Sequence, residues 1–281
     1  MAMLGGCVVG PRVRVAATDG PRSYLLVAPP RRDDAPRPLV IALHGWLGTP
    51  EQMAWMSRLS YAAWARGFVV VYPQGEWRAW GLDPATRRGA ADAAFLATVV
   101  ADISARTPID PARIYAVGFS NGGFMAQALA CSGRVHLAGI AIVAAGLAAG
   151  AAADCIADAS VPFLLIQGTG DPILPVQGTG DGLMRILRAS DTLAFWAKRN
   201  DCRGFADEPA ASREAGVTVT HRVGQACSRA TEAWFIAGAG HGWPGSNFAY
   251  PEFLVGRRTW AIDATSVIVA FLMGEPALPS R

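Results

Sequence analysis

Residues Ile114-Tyr115-Ala116-Val117-Gly118-Phe119-Ser120-Asn121-Gly122-Gly123 decide how this chain folds. The apolar run reads as a buried strand, Gly118-Phe119-Ser120-Asn121-Gly122 as a G-x-S-x-G turn, and residues 122–130 as a helix. A turn this tight leaves no space for side chains two positions either side of the serine, which explains the two glycines. The Ser120 hydroxyl is thereby presented at the carboxyl edge of a sheet. It lies near a helix amino terminus, whose N–H groups favour developing negative charge.

The same alternation of apolar runs and helical patterns continues outward in both directions. Strands are expected at residues 22–28, 39–43, 68–72, 114–117, 140–144, 163–167, 217–223 and 233–236. Helices are expected at residues 51–66, 90–106, 122–130, 183–198 and 260–272, and the Ala/Gly-rich run 138–153 reads as a buried strand followed by a loop. This pattern predicts the α/β class: one mostly parallel central sheet flanked by helices. No composition break marks a second domain, so residues 21–281 are assigned to one catalytic domain and residues 1–20 to an amino-terminal tail. The echo QGTGD at Gln167 and Gln177 is local and makes no repeat architecture.

Composition limits the function classes. Of 281 residues, 52% are hydrophobic and 17% charged, enough for a sizeable core. A formal net charge of +3 is too small and dispersed to suggest a nucleic-acid partner. No uninterrupted apolar run reaches the ~18 residues of a spanning helix, so no transmembrane segment is expected. Of the five cysteines, none forms a CxxC or has a histidine at ligand spacing, which argues against a metal site. Cys131 with Cys155, and Cys202 with Cys227, form two local pairs. They read as two disulfides and hence as an exported protein, the alternative being four buried thiols. The start MAMLGGCVVG has no basic leader, yet Leu4-Gly5-Gly6-Cys7 resembles a bacterial lipoprotein cleavage box. The expected location is therefore secreted or cell envelope, with Cys7 as a possible lipid anchor.

A serine nucleophile needs a base, and the base an orienting carboxylate; after this type of turn they follow in the order Ser, Asp or Glu, His. His241, in the glycine-rich loop GAGHGWPG after a late strand, is the expected base. His136 leads into a strand and His221 lies within one. Asp171, at the exit of VPFLLIQGTGDPILP, is the expected acid, with Asp181 as its rival in the repeated QGTGD. Pro172 enforces a sharp exit that suits a fixed carboxylate. The backbone N–H groups of Trp46 and Asn121 are the expected oxyanion donors, and His44 a structural hydrogen-bonding group.

Together LHGWLGTPEQM, GFVVVYPQG, GFSNGGFMA, LLIQGTGDPILP and GAGHGWPG resemble the family of polyhydroxybutyrate depolymerases and bacterial feruloyl esterases, in order from Ser23 to Gly245. The resemblance implies the α/β-hydrolase fold and an exported carboxylester hydrolase with Ser120, Asp171 and His241 as its triad. It also implies Trp46 and Asn121 as oxyanion donors and the two cysteine pairs as crosslinks. Two departures stand out. Around Asp92 the family usually carries paired aspartates, and only Asp92 remains here; the segment EWRAWGLDPATRR lacks a cysteine that some relatives place beside the active-site loop.

Trp46, Trp77, Trp80 and Trp243 all fall on loops expected at the catalytic edge, with Trp80 and Trp243 taken as substrate-binding residues. Flat indoles and a small net charge predict a neutral aryl or hydroxycinnamoyl ester, small or polymeric. Polyesters of hydroxy acids or aromatic diacids come next. The chemistry needs no metal or organic cofactor. A peptidase or thioesterase with the same triad, or a non-catalytic binding protein on a hydrolase scaffold, are the competing readings.

Overall fold

Strands that are apolar at every position belong inside a parallel sheet covered on both faces, and this chain has several. In the computed structural model, β6 (Val69–Pro73), β8 (Gly139–Val143) and β9 (Phe163–Gly168) are buried throughout. The structure describes residues 3, 4, 7, 8, 10–30, 33, 35–156, 159–181, 185–248 and 250–274.

A small ribbon of β1 (Met3–Leu4) and β2 (Cys7–Val8) precedes the main sheet. There follow β3 (Arg12–Ala17), β4 (Gly20–Val27), β5 (Arg37–Leu43), α1 (Pro50–Ser57), α2 (Leu59–Arg66), β6, and α3 (Arg87–Arg106). Next come β7 (Ile109–Phe119), α4 (Asn121–Ser132), β8, α5 (Ala149–Ala153), β9 and α6 (Ala189–Arg199). The chain closes with β10 (Gly204–Ala210), β11 (Val219–Gln225), β12 (Thr231–Ile236), α7 (Glu252–Val255) and α8 (Ala264–Met273).

The ten-stranded sheet runs β10-β11-β12-β9-β8-β7-β5-β6-β4-β3. Its six central strands, β12 to β6, are parallel, and two antiparallel strands extend each side. The order matters for function. From β5 the chain moves outward to β6, then returns past β5 to β7, so the loops after β5 and β7 diverge at a topological switch point, where a crevice opens beyond the carboxyl ends of the strands.

Alternate residues of each strand serve the two cores. Val40 and Ala42 of β5 pack with α1, α2 and α8, whereas Leu39, Ile41 and Leu43 pack with α3, α4 and α6. Asp92, Phe95, Leu96, Val99 and Ile103 lie at helical spacing on the buried face of α3.

Several boundaries differ from expectation. The helix expected at 51–66 is broken at Arg58, whose left-handed backbone (φ 54°) separates α1 from α2. The helix expected from Leu183 starts at Ala189, and residues 182–184 lie outside those described. The closing helix starts at Ala264, where the Asp263 carboxylate accepts from the Ser266 N–H at 2.9 Å. The Ala-rich run ends in the short helix α5 as well as a loop. The tail assigned to residues 1–20 is corrected, because Arg12–Ala17 pairs antiparallel with β4 as the edge of the main sheet. Val15 of that strand is buried, Val13 and Ala17 pack beside it on the core, and the ladder to β4 completes the attachment. The edge strand β10 was not anticipated: Gly-Phe-Ala-Asp-Glu-Pro-Ala is mostly exposed and carries charges and a proline, as edges do.

Both cysteine pairs are disulfide-bonded. Cys131–Cys155 ties the end of α4 to the segment after α5, and Cys202–Cys227 ties the exit of α6 to the β11–β12 turn. The lipoprotein-like box contains Gly5 and Gly6, which lie outside the described residues.

Candidate active site

Ser120 sits between β7 and α4 with φ 52° and ψ −120°, a left-handed region that a non-glycine residue occupies only when its surroundings force it. Two contacts do so. The Ser120 N–H donates to the Val143 carbonyl at 2.9 Å, and its carbonyl accepts from the Gly123 N–H at 2.8 Å. A Cβ at Gly118 would lie 2.1 Å from the Gly122 carbonyl oxygen, and one at Gly122 would lie 2.2 Å from the Leu43 carbonyl oxygen. Side chains at either position would push the elbow off the sheet.

His241 reaches Ser120 from the loop after β12, with Nε2 2.9 Å from Oγ. Its backbone N–H donates to the Val255 carbonyl at 2.6 Å, which pins the loop to α7. On the other side of the ring, Nδ1 lies 2.8 Å from Asp171 Oδ2. Asp171, 3% exposed, is held in turn: Oδ1 accepts from the N–H groups of Ile173 and Leu174 at 2.8 Å each, and Gln167 Nε2 donates to Oδ2 at 3.2 Å. The structure thus brings together Ser120, Asp171 and His241. Asp181 is exposed, His136 is exposed, and His221 bonds Glu232 within the β11–β12 ladder. Gln167 escaped sequence reasoning, although its place at the head of the QGTGD echo could have flagged it.

The loop after β5 crosses in front of the elbow. A Cβ on Gly45, the residue before Trp46, would lie 3.4 Å from the Ser120 Cβ, so this loop closely approaches the nucleophile. His44 is almost fully buried, and burial pushes its imidazole pKa down to about 4, with Arg78 and Arg22 adding to the depression against the Gly45 carbonyl. It is a neutral structural ring, as expected. Asn121 begins α4, and its first-turn N–H has no intrahelical acceptor. Its side chain is occupied elsewhere: Oδ1 accepts from the Trp80 N–H at 2.7 Å, and Nδ2 donates to the Trp80 carbonyl at 3.1 Å.

The tryptophans divide. Trp80 and Trp243, the two expected at the substrate, are each 3% exposed, with Trp243 in the wall of the small cavity beside His241. Trp80 Nε1 donates to the His44 carbonyl at 3.0 Å, and Trp243 Nε1 donates to Thr265 Oγ1 at 3.1 Å, so each indole is consumed by internal bonds. Trp46 and Trp77 are the open indoles, at 68% and 82% exposure. Trp77 is presented from a strained turn in which Trp77 and Arg78 both have positive φ.

Residues 22–177, more than half of the chain, match the family described as esterase PHB depolymerase. The chain belongs to that family. Among relatives of this PHB depolymerase-type esterase is "Putative esterase NocK" of Nocardia uniformis subsp. tsuyamanensis, 32% identical over 90% of this chain and 79% of the relative. Another is feruloyl esterase B of Piromyces equi, 29% identical over 61% of this chain and 34% of the relative. Among solved structures, an acetyl xylan esterase from Aspergillus awamori superposes with a TM-score of 0.61 at 16% identity, covering 83% of this chain and 94% of that one. The fold is that of the α/β-hydrolases, in a single domain, and the family's activity is that of an esterase. Among the described residues no helix is long and apolar enough to cross a membrane.

Proposed function

We propose that this esterase is an exported serine carboxylester hydrolase that works through an acyl-enzyme, on aryl or hydroxycinnamoyl esters. The observation that carries the reading is the hydrogen-bonded series Ser120 Oγ, His241 Nε2, His241 Nδ1 and Asp171 Oδ2, with separations of 2.9 and 2.8 Å. Ser120 Oγ attacks the ester carbonyl carbon while His241 Nε2 takes its proton. Asp171 accepts from Nδ1–H, which holds the tautomer and stabilises the imidazolium. The backbone N–H groups of Trp46 and Asn121 receive the oxyanion. His241 then protonates the leaving alcohol, and water releases the acid by the same route. This sequence of steps uses no cofactor.

In this reading the exposed Trp46 and Trp77 supply the flat apolar surface that an aromatic acyl group needs. Kinship with a feruloyl esterase supports this choice, and two disulfides support export. Polyester depolymerisation is the second reading, favoured by exposed Leu47 and Ile173, on the loops after β5 and β9, and by exposed Phe253 and Leu254 of α7, the helix whose Val255 carbonyl accepts from the His241 N–H. The deciding experiment compares methyl ferulate, nitrophenyl acetate and a polyester film, with and without a serine-directed phosphonate. Turnover that resists the phosphonate, or a phosphonate adduct on a residue other than Ser120, would sink the serine reading.

A further inference from the structure

We propose that Trp80 is a positioning residue that keeps the two oxyanion donors, the N–H groups of Trp46 and Asn121, in register with each other. This rests on the serine-hydrolase reading above. The two donors belong to different loops, one after β5 and one after β7, and no covalent link shorter than the whole intervening crossover joins them. Trp80 lies on a third loop, after β6, and bonds the chain close to one donor and the side chain of the residue that carries the other. Its indole N–H donates to the His44 carbonyl at 3.0 Å, two residues before Trp46. Its backbone N–H and carbonyl are clasped by the Asn121 carboxamide at 2.7 and 3.1 Å. The His44 carbonyl also lies against the elbow, because a Cβ on Gly122 would meet its oxygen at 2.7 Å. The His44 ring itself rests on the Trp80 indole, with centroids 5.0 Å apart.

Trp80 is itself braced from behind. The next residue, Gly81, donates its N–H to Asp92 Oδ2 at 2.8 Å, and Asp92 Oδ1 pairs with Arg22 Nη1 at 2.8 Å. Arg22 lies over the Phe95 ring at 3.9 Å and over the Trp80 ring at 5.8 Å. All three polar partners of this brace are buried: Arg22, Asp92 and the Gly81 amide. Burial pushes the Asp92 carboxyl pKa up, against the opposing pull of Arg22 and the Gly81 N–H. The single aspartate left in this part of α3 therefore serves the loop that carries Trp80, and through it the oxyanion site.

The physical reason for such a brace is preorganisation. Oxyanion donors act because they are aimed before charge develops, and misplacement by an ångström costs about 10²-fold in rate. A loop tryptophan that only filled space would leave that aim untouched.

The test uses Trp80→Phe, which keeps an aromatic ring and deletes the donor to His44, and Asn121→Ala, which deletes the clasp but keeps the backbone N–H. Active sites are counted by phosphonate titration. For nitrophenyl acetate, each variant should lose about 10- to 100-fold in kcat per titrated site, with KM within about threefold of the parent. The inhibition constant of a boronic acid that mimics the tetrahedral adduct should rise by the same factor as kcat/KM falls. A structural role alone would lower thermal stability and the number of titrated sites but leave kcat per site unchanged. If kcat per site stays within twofold of the parent in either folded variant, the proposal is overturned. Ser120→Ala is measured beside them: an inactive Ser120→Ala with a fully active Trp80→Phe removes this inference alone, whereas an active Ser120→Ala removes the serine reading as well.

Discussion

His44 Nε2 accepts a hydrogen bond from the Gly75 N–H at 3.0 Å, which fixes the proton on Nδ1, where it is donated to the Gly45 carbonyl at 2.8 Å. A neutral histidine thus bolts the loop after β5 to the loop after β6, and a second proton would eject the Gly75 bond.

The first prediction is a stability loss on acidification. The folded pKa of His44 is pushed from 6.5 down to about 4, so the unfolded chain binds more protons in between. The stabilising contribution is complete above pH 6.5 and is lost as pH falls through about 4, amounting to roughly 3 kcal/mol at 1.36 kcal/mol per pH unit. Urea denaturation at pH 7 and at pH 4 should record a loss of that order in the parent and a smaller one in His44→Gln. Equal losses in both proteins would assign the acid sensitivity to other groups.

The nucleophile and its acid are tested by substitution. Ser120→Ala should lower ester turnover by about 10⁴- to 10⁶-fold in a folded protein. Asp171→Asn should cost on the order of 10³- to 10⁴-fold, because the imidazole loses the acceptor 2.8 Å from Nδ1. Asp181 is exposed, and the partners of Ser120, His241 and Asp171 among the described residues do not include it, so Asp181→Asn should stay within about twofold of the parent. A reversal of the two aspartate results would move the acid.

Substrate preference should respond to the open tryptophans and not to the buried pair. Trp77→Ala and Trp46→Ala should raise KM for methyl ferulate by about fivefold or more and leave nitrophenyl acetate nearly unchanged, since only the larger acyl group needs that surface. Trp243→Ala should act on stability instead, by roughly 3–5 kcal/mol, through the cavity it leaves. Identical KM changes for both esters in the Trp77 variant would remove it from the substrate surface.

The two disulfides close loops of similar length. In the chain-entropy account, removing either by a Cys-to-Ser pair should lower unfolding free energy by roughly 3 kcal/mol. Intact mass under non-reducing conditions should fall four hydrogens short of the all-thiol value, two for each bond. Recovery of free, alkylatable Cys131, Cys155, Cys202 and Cys227 from secreted protein would contradict this.

The amino-acid sequence by itself determined the parts of this protein that local chemistry dictates. Buried parallel strands are continuous apolar runs, and an elbow without side-chain space at Gly118 and Gly122 needs glycine there. The triad candidates could be named because His241 alone of the later histidines lies on a glycine-rich loop, and because Asp171, unlike its rival Asp181, is followed by a proline. Tertiary structure decided what depends on distant partners. The edge strand β10 buries little, so it leaves no apolar signature, and pairing with β11 makes it a strand; β3 shows only the short alternation Val13, Val15, Ala17, and its pairing with β4 completes it. The tryptophans carry the same lesson. Loops have no periodicity from which to read a face, so Trp77 and Trp80, three residues apart, look alike in the chain. One is open to solvent; the other is enclosed because His44, Asn121 and Arg22, each remote in sequence, meet around it.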